Sequence, residues 1–281
     1  MSLICFIFLL SLSKTSCFHT GVIPFSYPKI TAISLSNTVL DGSSEIQIDS
    51  IEDETSIKEA ANFMVDSFWL QSPQQLTTNN DASISDGVKQ SLTNLQFQDL
   101  SDKYGERMGK RVLQSCLLTA KDNQNILGII GLEVCLLNKQ TKKVLSAETS
   151  ENMLKQAVAS LGPKQRRQYK NSPASELATE LLPPELQLVC CLSNLSTSPN
   201  ARRLGLGVKL CKEVEDVAKG FGFESLFLRV EKENVAARGL YDKLGYVETF
   251  SDVDALGLRV DGDSGTFVEV TAETLVMEKV L

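Results

Sequence analysis

The chain has 281 residues, 42% hydrophobic and 22% charged, enough for one large packed domain or a domain with extensions. Its net charge of −7 at pH 7 argues against nucleic-acid binding. The single histidine, His19, excludes His-based triads and His metal clusters, so no metal is expected and proton transfer falls to tyrosine, carboxylates and water.

The first 43 residues differ from the rest. Residues 3–12 are an apolar run too short to span a bilayer, a hydroxyl-rich stretch follows, and no acidic residue precedes Asp41. This tandem resembles the bipartite leaders of plastids acquired by secondary endosymbiosis. A plastid or chloroplast protein with a removable transit peptide over 1–43 is expected, the alternatives being a mitochondrial or secretory route or an uncleaved anchor. No membrane contact is expected of the mature form.

Residues 44–50 alternate polar and apolar side chains like an opening strand. Ile57, Ala60, Ala61, Met64 and Phe68 predict a helix over 54–69. Polar residues 70–84 read as a loop. Val88, Leu92, Leu95, Phe97 and Leu100 predict a second helix over roughly 86–108. Strands over 111–120 and 126–137 flank the turn residues 122–125, a likeness to an antiparallel hairpin.

Residues 138–184 form a long polar insertion with a basic run at 164–170, read as a solvated loop or surface helix, or alternatively as a lip over an acceptor groove or a docking patch. Downstream of residue 246 the expectations are a short strand from Val247, an acidic loop over 251–265 and a last strand over 267–280. Of the seven cysteines, Cys116, Cys135, Cys190, Cys191 and Cys211 sit in apolar patterns and Cys5 and Cys17 in the leader. Without any CxxC spacing, buried reduced thiols are expected.

Residues 186–246 organise the chain. Residues 186–195 are apolar enough for a buried strand, and Ser198-Pro199-Asn200 makes a turn. Arg202, Arg203, Leu204, Gly205, Leu206 and Gly207 then lead into a helix whose stripe is Leu206, Leu210, Val214, Val217 and Phe221. Its other face carries Lys209–Glu213, Lys212–Asp216 and Glu215–Lys219 at i, i+4. Gly220 and Gly222 end it, and residues 226–230 make a second buried strand. A helix N-terminus behind a glycine turn presents unpaired backbone amides that favour phosphate. Asn234, Ala237, Leu240, Tyr241, Gly245 and Tyr246 follow as N-x-x-A-x-x-L-Y-x-x-x-G-Y, with Asn234 and Tyr241 on one helical face.

The Arg-x-x-Gly-x-Gly turn, a strand and this second pattern, in that order, resemble the GNAT superfamily of acetyl-CoA-dependent N-acetyltransferases. The resemblance implies a mixed α/β fold with a mostly antiparallel twisted sheet of six to seven strands, flanking helices and a splayed cofactor-binding strand pair, over residues 44–281. It implies acetyl-CoA as co-substrate, held at the pantetheine arm by the backbone of Leu195, Ser196 and Thr197 and at the pyrophosphate by the turn Arg202, Arg203, Leu204, Gly205, Leu206 and Gly207. Asn234 would orient the cofactor or cap its helix, and Tyr241 would protonate the departing thiolate.

Glu185 and Glu133 are the carboxylates in range of a general base, with a water relay through Ser193 an equal option, so the base stays unassigned. The implied acceptors are protein N-terminal α-amines or lysine ε-amines. The alternatives are a small arylalkylamine or polyamine, or a CoA-binding module without turnover.

Overall fold

The computed structural model describes residues 35–40, 44–71, 85–106, 112–123, 125–261 and 263–281. The leader up to position 34, with Cys5, Cys17 and His19, and most of the polar stretch 70–84 lie outside the described residues. Strand Leu35–Leu40 (β1) pairs antiparallel with Ser44–Ile51 (β2), so regular structure reaches back into the stretch read as leader.

Helix Glu54–Met64 (α1) is capped by Asp53, whose carboxylate accepts from Ser56 N–H at 2.9 Å. It runs on into five π-helical residues, Val65–Trp69, closed by Leu70 N–H on Val65 O. Helix Asp86–Tyr104 (α2) buries Leu92 and Leu100 as the spacing predicts, but also the polar Thr93, Gln96 and Asp99. Trp69 donates its indole N–H to Gln96 Oε1 at 2.8 Å, which satisfies the oxygen of that amide but not its nitrogen.

Strands Ser115–Asp122 (β3) and Asn125–Asn138 (β4) form the expected hairpin. Next come Lys143–Val144 (β5), the helices Ala147–Ser160 (α3), Pro163–Gln168 (α4) and Ala174–Leu181 (α5), and strand Leu186–Thr197 (β6). Helix Leu206–Gly220 (α6), strand Ser225–Glu231 (β7) and helix Val235–Lys243 (α7) follow. Four strands complete the chain: Val247–Asp252 (β8), Leu256–Asp261 (β9), Thr266–Thr271 (β10) and Thr274–Val280 (β11).

Among the described residues the main sheet has nine strands in the order β1-β2-β3-β4-β6-β7-β11-β8, with β5 on the end of β4. It exceeds the expected six to seven because β1 and the two-residue β5 add to it. Every pairing is antiparallel except β6 with β7, which α6 joins as a crossover.

Each face carries its own layer. Leu132, Val134, Cys190, Leu192 and Leu228 pack on one side against Leu206, Leu210 and Val214 of α6. Leu117 and Ile129 point the other way, into Ile57, Met64, Leu92 and Leu100 of α1 and α2. The described cysteines are all buried free thiols. No helix among the described residues is long and apolar enough to cross a membrane.

Three expectations need correction. The insertion is not a solvated loop: α3 and α5 pack Leu154, Leu177 and Ala178 into the α6-side core, on the face away from α1 and α2. Helix α4, with most of the basic run, buries no residue and is the expected surface helix. The acidic stretch 251–265 contains β9, whose Leu258 and Val260 are buried against the α1–α2 layer, and the expected last strand over 267–280 is two strands, β10 and β11, interrupted at Ala272 and Glu273. Glu215 is buried and pairs with Lys279 of β11 at 2.7 Å instead of with Lys219, because the sheet beneath α6 offers a nearer cation. Lys219 pairs with Asp216 at 3.4 Å.

Candidate active site

β6 and β7 are in register only from Cys190–Leu226 to Leu192–Leu228. Beyond Leu192 the β6 edge facing β7 has no strand partner among the described residues, so the pair splays. Residues 193–197 therefore offer backbone groups along an open edge, which is where a chain of amides can add like a further strand.

The open edge leads to the start of α6. Its N-cap, Gly205, sits at φ +82°, a left-handed conformation that glycine adopts without cost, and a Cβ there would meet nothing within 4 Å. No side chain caps α6, so the first-turn amides keep no partner inside the helix. The exposed Arg203 is also left-handed, at φ +66°. Successive amides in such a turn form an anion-binding concavity, and it fits a pyrophosphate.

Arg202 acts differently. Its guanidinium donates to Thr197 O at 3.3 Å and to Ser67 O at 3.0 Å, tying the turn to the π-helical end of α1. Ser67 also meets Ser196 Oγ at 3.0 Å. The open β6 edge and the α1 layer are thus joined by the side chains of Arg202, Ser67 and Ser196.

Just where the strands part, β6 carries a bulge. Gly131 pairs with Ser193 and Ile129 with Ser196, so Asn194 and Leu195 stand opposite Ile130 alone. Asn194 takes up the extra length at φ +55°. The inserted residue switches which side chains face which layer: Leu195 joins Cys190 and Leu192 in the α6-side core, whereas Ser196 reaches Ser67 of the α1 layer.

On that second face four polar side chains meet. Tyr104, from the last turn of α2, donates to Glu133 Oε1 at 2.7 Å. Ser193 donates to the same oxygen at 2.8 Å, and the two hydroxyls are 2.8 Å apart. Asn194 Nδ2 donates to the Tyr104 oxygen at 2.9 Å. Gly131 makes this possible, because a Cβ there would collide with the Tyr104 hydroxyl. Burial, and then the charge of Glu133, hold the Tyr104 phenol well above its ordinary range, so it remains a donor.

One turn back on α2, Lys103 and Asp99 pair at 3.1 Å. Burial raises the Asp99 carboxyl from 3.8 to about 6 against the pull of Lys103. Burial opposes the charge of Lys103, yet Asp99 and Glu133 together raise its pKa. Because the native state holds the Asp99 proton more tightly than the unfolded chain, this group's contribution to stability falls as pH rises from about 4 to about 6. The change is on the order of 3 kcal/mol. The stability of the native sequence relative to Asp99→Asn should therefore decline across that window in urea titrations; a flat difference would show that Asp99 titrates as in the unfolded chain.

Of the residues expected from the sequence, Leu195, Ser196 and Thr197 line the open edge through their backbone. Gly205, Leu206 and Gly207 form the helix start, with Arg203 and Leu204 exposed beside it. Asn234 caps α7, accepting from Ala237 N–H at 3.1 Å. Tyr241 is fully buried, edge-on to Tyr246 with ring centroids 5.7 Å apart.

Tyr104 and Asn194 were not anticipated. Glu133 is one of two carboxylates the sequence offers, and Glu185 lies just before β6, at the end away from the splay. The signal that could have found Gly131 is a glycine inside the apolar run 126–137, which marks close approach of another group. Among the described residues no cluster of three or more His, Cys, Asp or Glu side chains could hold a metal ion.

Residues 180–246 match the model of the acetyltransferase (GNAT) family. Over 55 residues the chain is 40% identical to an uncharacterized N-acetyltransferase, YobR, of Bacillus subtilis; the match spans 20% of this chain and 22% of that protein. Among solved structures, the ribosomal-protein-S18-alanine N-acetyltransferase of Escherichia coli aligns at 14% identity over 84% of this chain and 93% of that one, with TM-score 0.43. The Arabidopsis thaliana NAA60 complex with acetyl-CoA aligns at 11% over 84% and 98%, TM-score 0.46. A mosquito arylalkylamine N-acetyltransferase-like protein aligns at 12% over 84% and 100%, TM-score 0.44.

Proposed function

We propose that this chain is an acetyl-CoA-dependent N-acetyltransferase that transfers the acetyl group to protein N-terminal α-amines or lysine ε-amines by direct attack. The observation that carries the reading is the open β6 edge, which runs between the uncapped amides of α6 and the carboxylate cluster around Glu133. The family-model match over the same stretch supports it.

In this reading the α6 amides and Arg203 hold the pyrophosphate, and the backbone of 193–197 hydrogen-bonds the pantetheine arm, setting the thioester beside the bulge. Glu133 is the general base. The triangle of Glu133 Oε1, Tyr104 and Ser193 has three oxygen–oxygen edges of 2.7, 2.8 and 2.8 Å. With the carboxylate charged, only two hydroxyl protons serve these three edges. A proton taken from the incoming ammonium supplies the third, so the cluster is built to accept one.

The freed amine lone pair attacks the thioester carbonyl carbon, and the carbon–sulfur bond breaks. Tyr241 gives its proton to the departing thiolate and takes back the second proton that the newly acylated nitrogen sheds. The products are an amide and CoA thiol. Acidic net charge would steer basic acceptors toward the site.

Mass spectrometry of peptides incubated with the full chain and acetyl-CoA tests this. The panel carries varied free N-termini and internal lysines, with phenethylamine and spermidine as small amines. Acetylated peptide amines are expected. Product on the small amines alone would move the acceptor class, and CoA binding without any product would indicate a non-catalytic module.

A further inference from the structure

Asn194 is 1% exposed, and its amide is only half used. The nitrogen donates to Tyr104, but Oδ1 is buried and accepts no hydrogen bond among the described residues. A buried acceptor left without a donor is costly, and the left-handed backbone of a non-glycine residue adds to that cost. Both penalties fall on one residue at the point where β6 leaves β7.

The neighbours of Oδ1 define the chemistry that would complete it. Asn194 is one hydrogen bond from the Tyr104 oxygen, which is one hydrogen bond from Glu133. Glu133 is partly exposed, which supplies an entry for a ligand. A partly exposed carboxylate thus stands two hydrogen bonds from a buried, unpaired carbonyl oxygen, while the Tyr104 and Ser193 protons go to Glu133. A donor with several N–H bonds and positive charge suits this set, and a carbonyl or phosphate does not.

We infer that Asn194 binds the acceptor substrate, its Oδ1 taking one N–H of the amine while Glu133 faces another. Resting on the acetyltransferase reading, this makes the β6 bulge the device that orients the nucleophile. The bulge turns Leu195 into the core and leaves Asn194 with the Tyr104 cluster, so the amine is held at the same break in pairing that exposes the thioester edge. An Asn here is also one of the few side chains that tolerates the required φ.

The test uses Asn194→Gly, which accepts φ +55° and removes both Oδ1 and the Nδ2 bond to Tyr104, and Tyr104→Phe, which removes that bond while keeping Oδ1. A hexapeptide amide with a free α-amine is titrated calorimetrically into each full-length protein saturated with CoA, and CoA is titrated separately. Asn194→Gly should weaken amine binding at least about tenfold with CoA affinity unchanged and the protein folded by its melting curve, and Tyr104→Phe should keep amine binding within about threefold.

Amine binding equal to that of the unaltered protein would overturn the inference alone. So would a loss confined to CoA, which would give Oδ1 to the pantetheine arm. If the unaltered protein binds CoA but no amine from the peptide panel, the acetyltransferase reading and this inference fall together.

Discussion

Glu133→Gln should lower kcat/KM for a peptide acceptor by about 10²- to 10⁴-fold while leaving acetyl-CoA affinity within twofold. The carboxamide keeps the shape and one acceptor oxygen, so Tyr104 and Ser193 retain a partner and the cluster stays folded. What is lost is the capacity to take a proton. The defect should shrink as pH rises and the amine arrives already neutral. For an α-amine acceptor that recovery begins near pH 8, and for a lysine acceptor near pH 10. The pH–rate profile of the variant thus identifies both the base and the acceptor class. A loss below about threefold at pH 7, or a defect of equal size at every pH, would remove Glu133 from the proton path.

Tyr241→Phe should lower turnover by about 10²-fold, with acetyl-CoA affinity nearly unchanged, if protonation of the thiolate depends on the phenol. Tyr241 is fully buried against Tyr246 in the α6-side core, so phenylalanine preserves most of its packing. The same burial makes a purely structural tyrosine the competing account. Calorimetric acetyl-CoA titration and a melting curve separate the two. A structural role predicts loss of stability with kcat following the folded fraction, whereas the catalytic role predicts a folded protein that binds and does not turn over. Equal losses of turnover and acetyl-CoA affinity would sink the assignment.

Much of the region around the glycine turn is legible in the order of residues. The stripe through Leu206, Leu210, Val214 and Val217 is a helical period, and burial follows it in the structure. Gly205 stands where a left-handed N-cap is needed, and Gly222, at φ +87°, where α6 must stop. Asn234 before Val235 is an N-cap signal and caps α7 as such. Each depends on neighbours within about two turns of chain, so local propensity suffices.

Other features were hidden for equally physical reasons. Strand β9 lies in an acidic stretch whose charges mask the two inward side chains Leu258 and Val260. The insertion reads as polar because its helices bury few apolar residues: Leu154 from α3, Leu177 and Ala178 from α5, and none from α4. Its face could be known only once Leu132 and Val134 of β4 were seen to point toward α6 and Glu133 away from it.

The sequence by itself determined the elements around the glycine turn, the helix caps and the chemical types available for catalysis, since these follow from residue period and backbone preference. Only the tertiary structure decided which carboxylate is served. Tyr104 lies 29 positions from Glu133 and 89 from Ser193. A contact of that span is set by sheet register and by where α2 crosses Gly131, and one bulged residue, Asn194, reassigns the side chains that follow it to opposite faces. No local pattern encodes such a juxtaposition, because it arises from packing between segments whose sequences are individually ordinary.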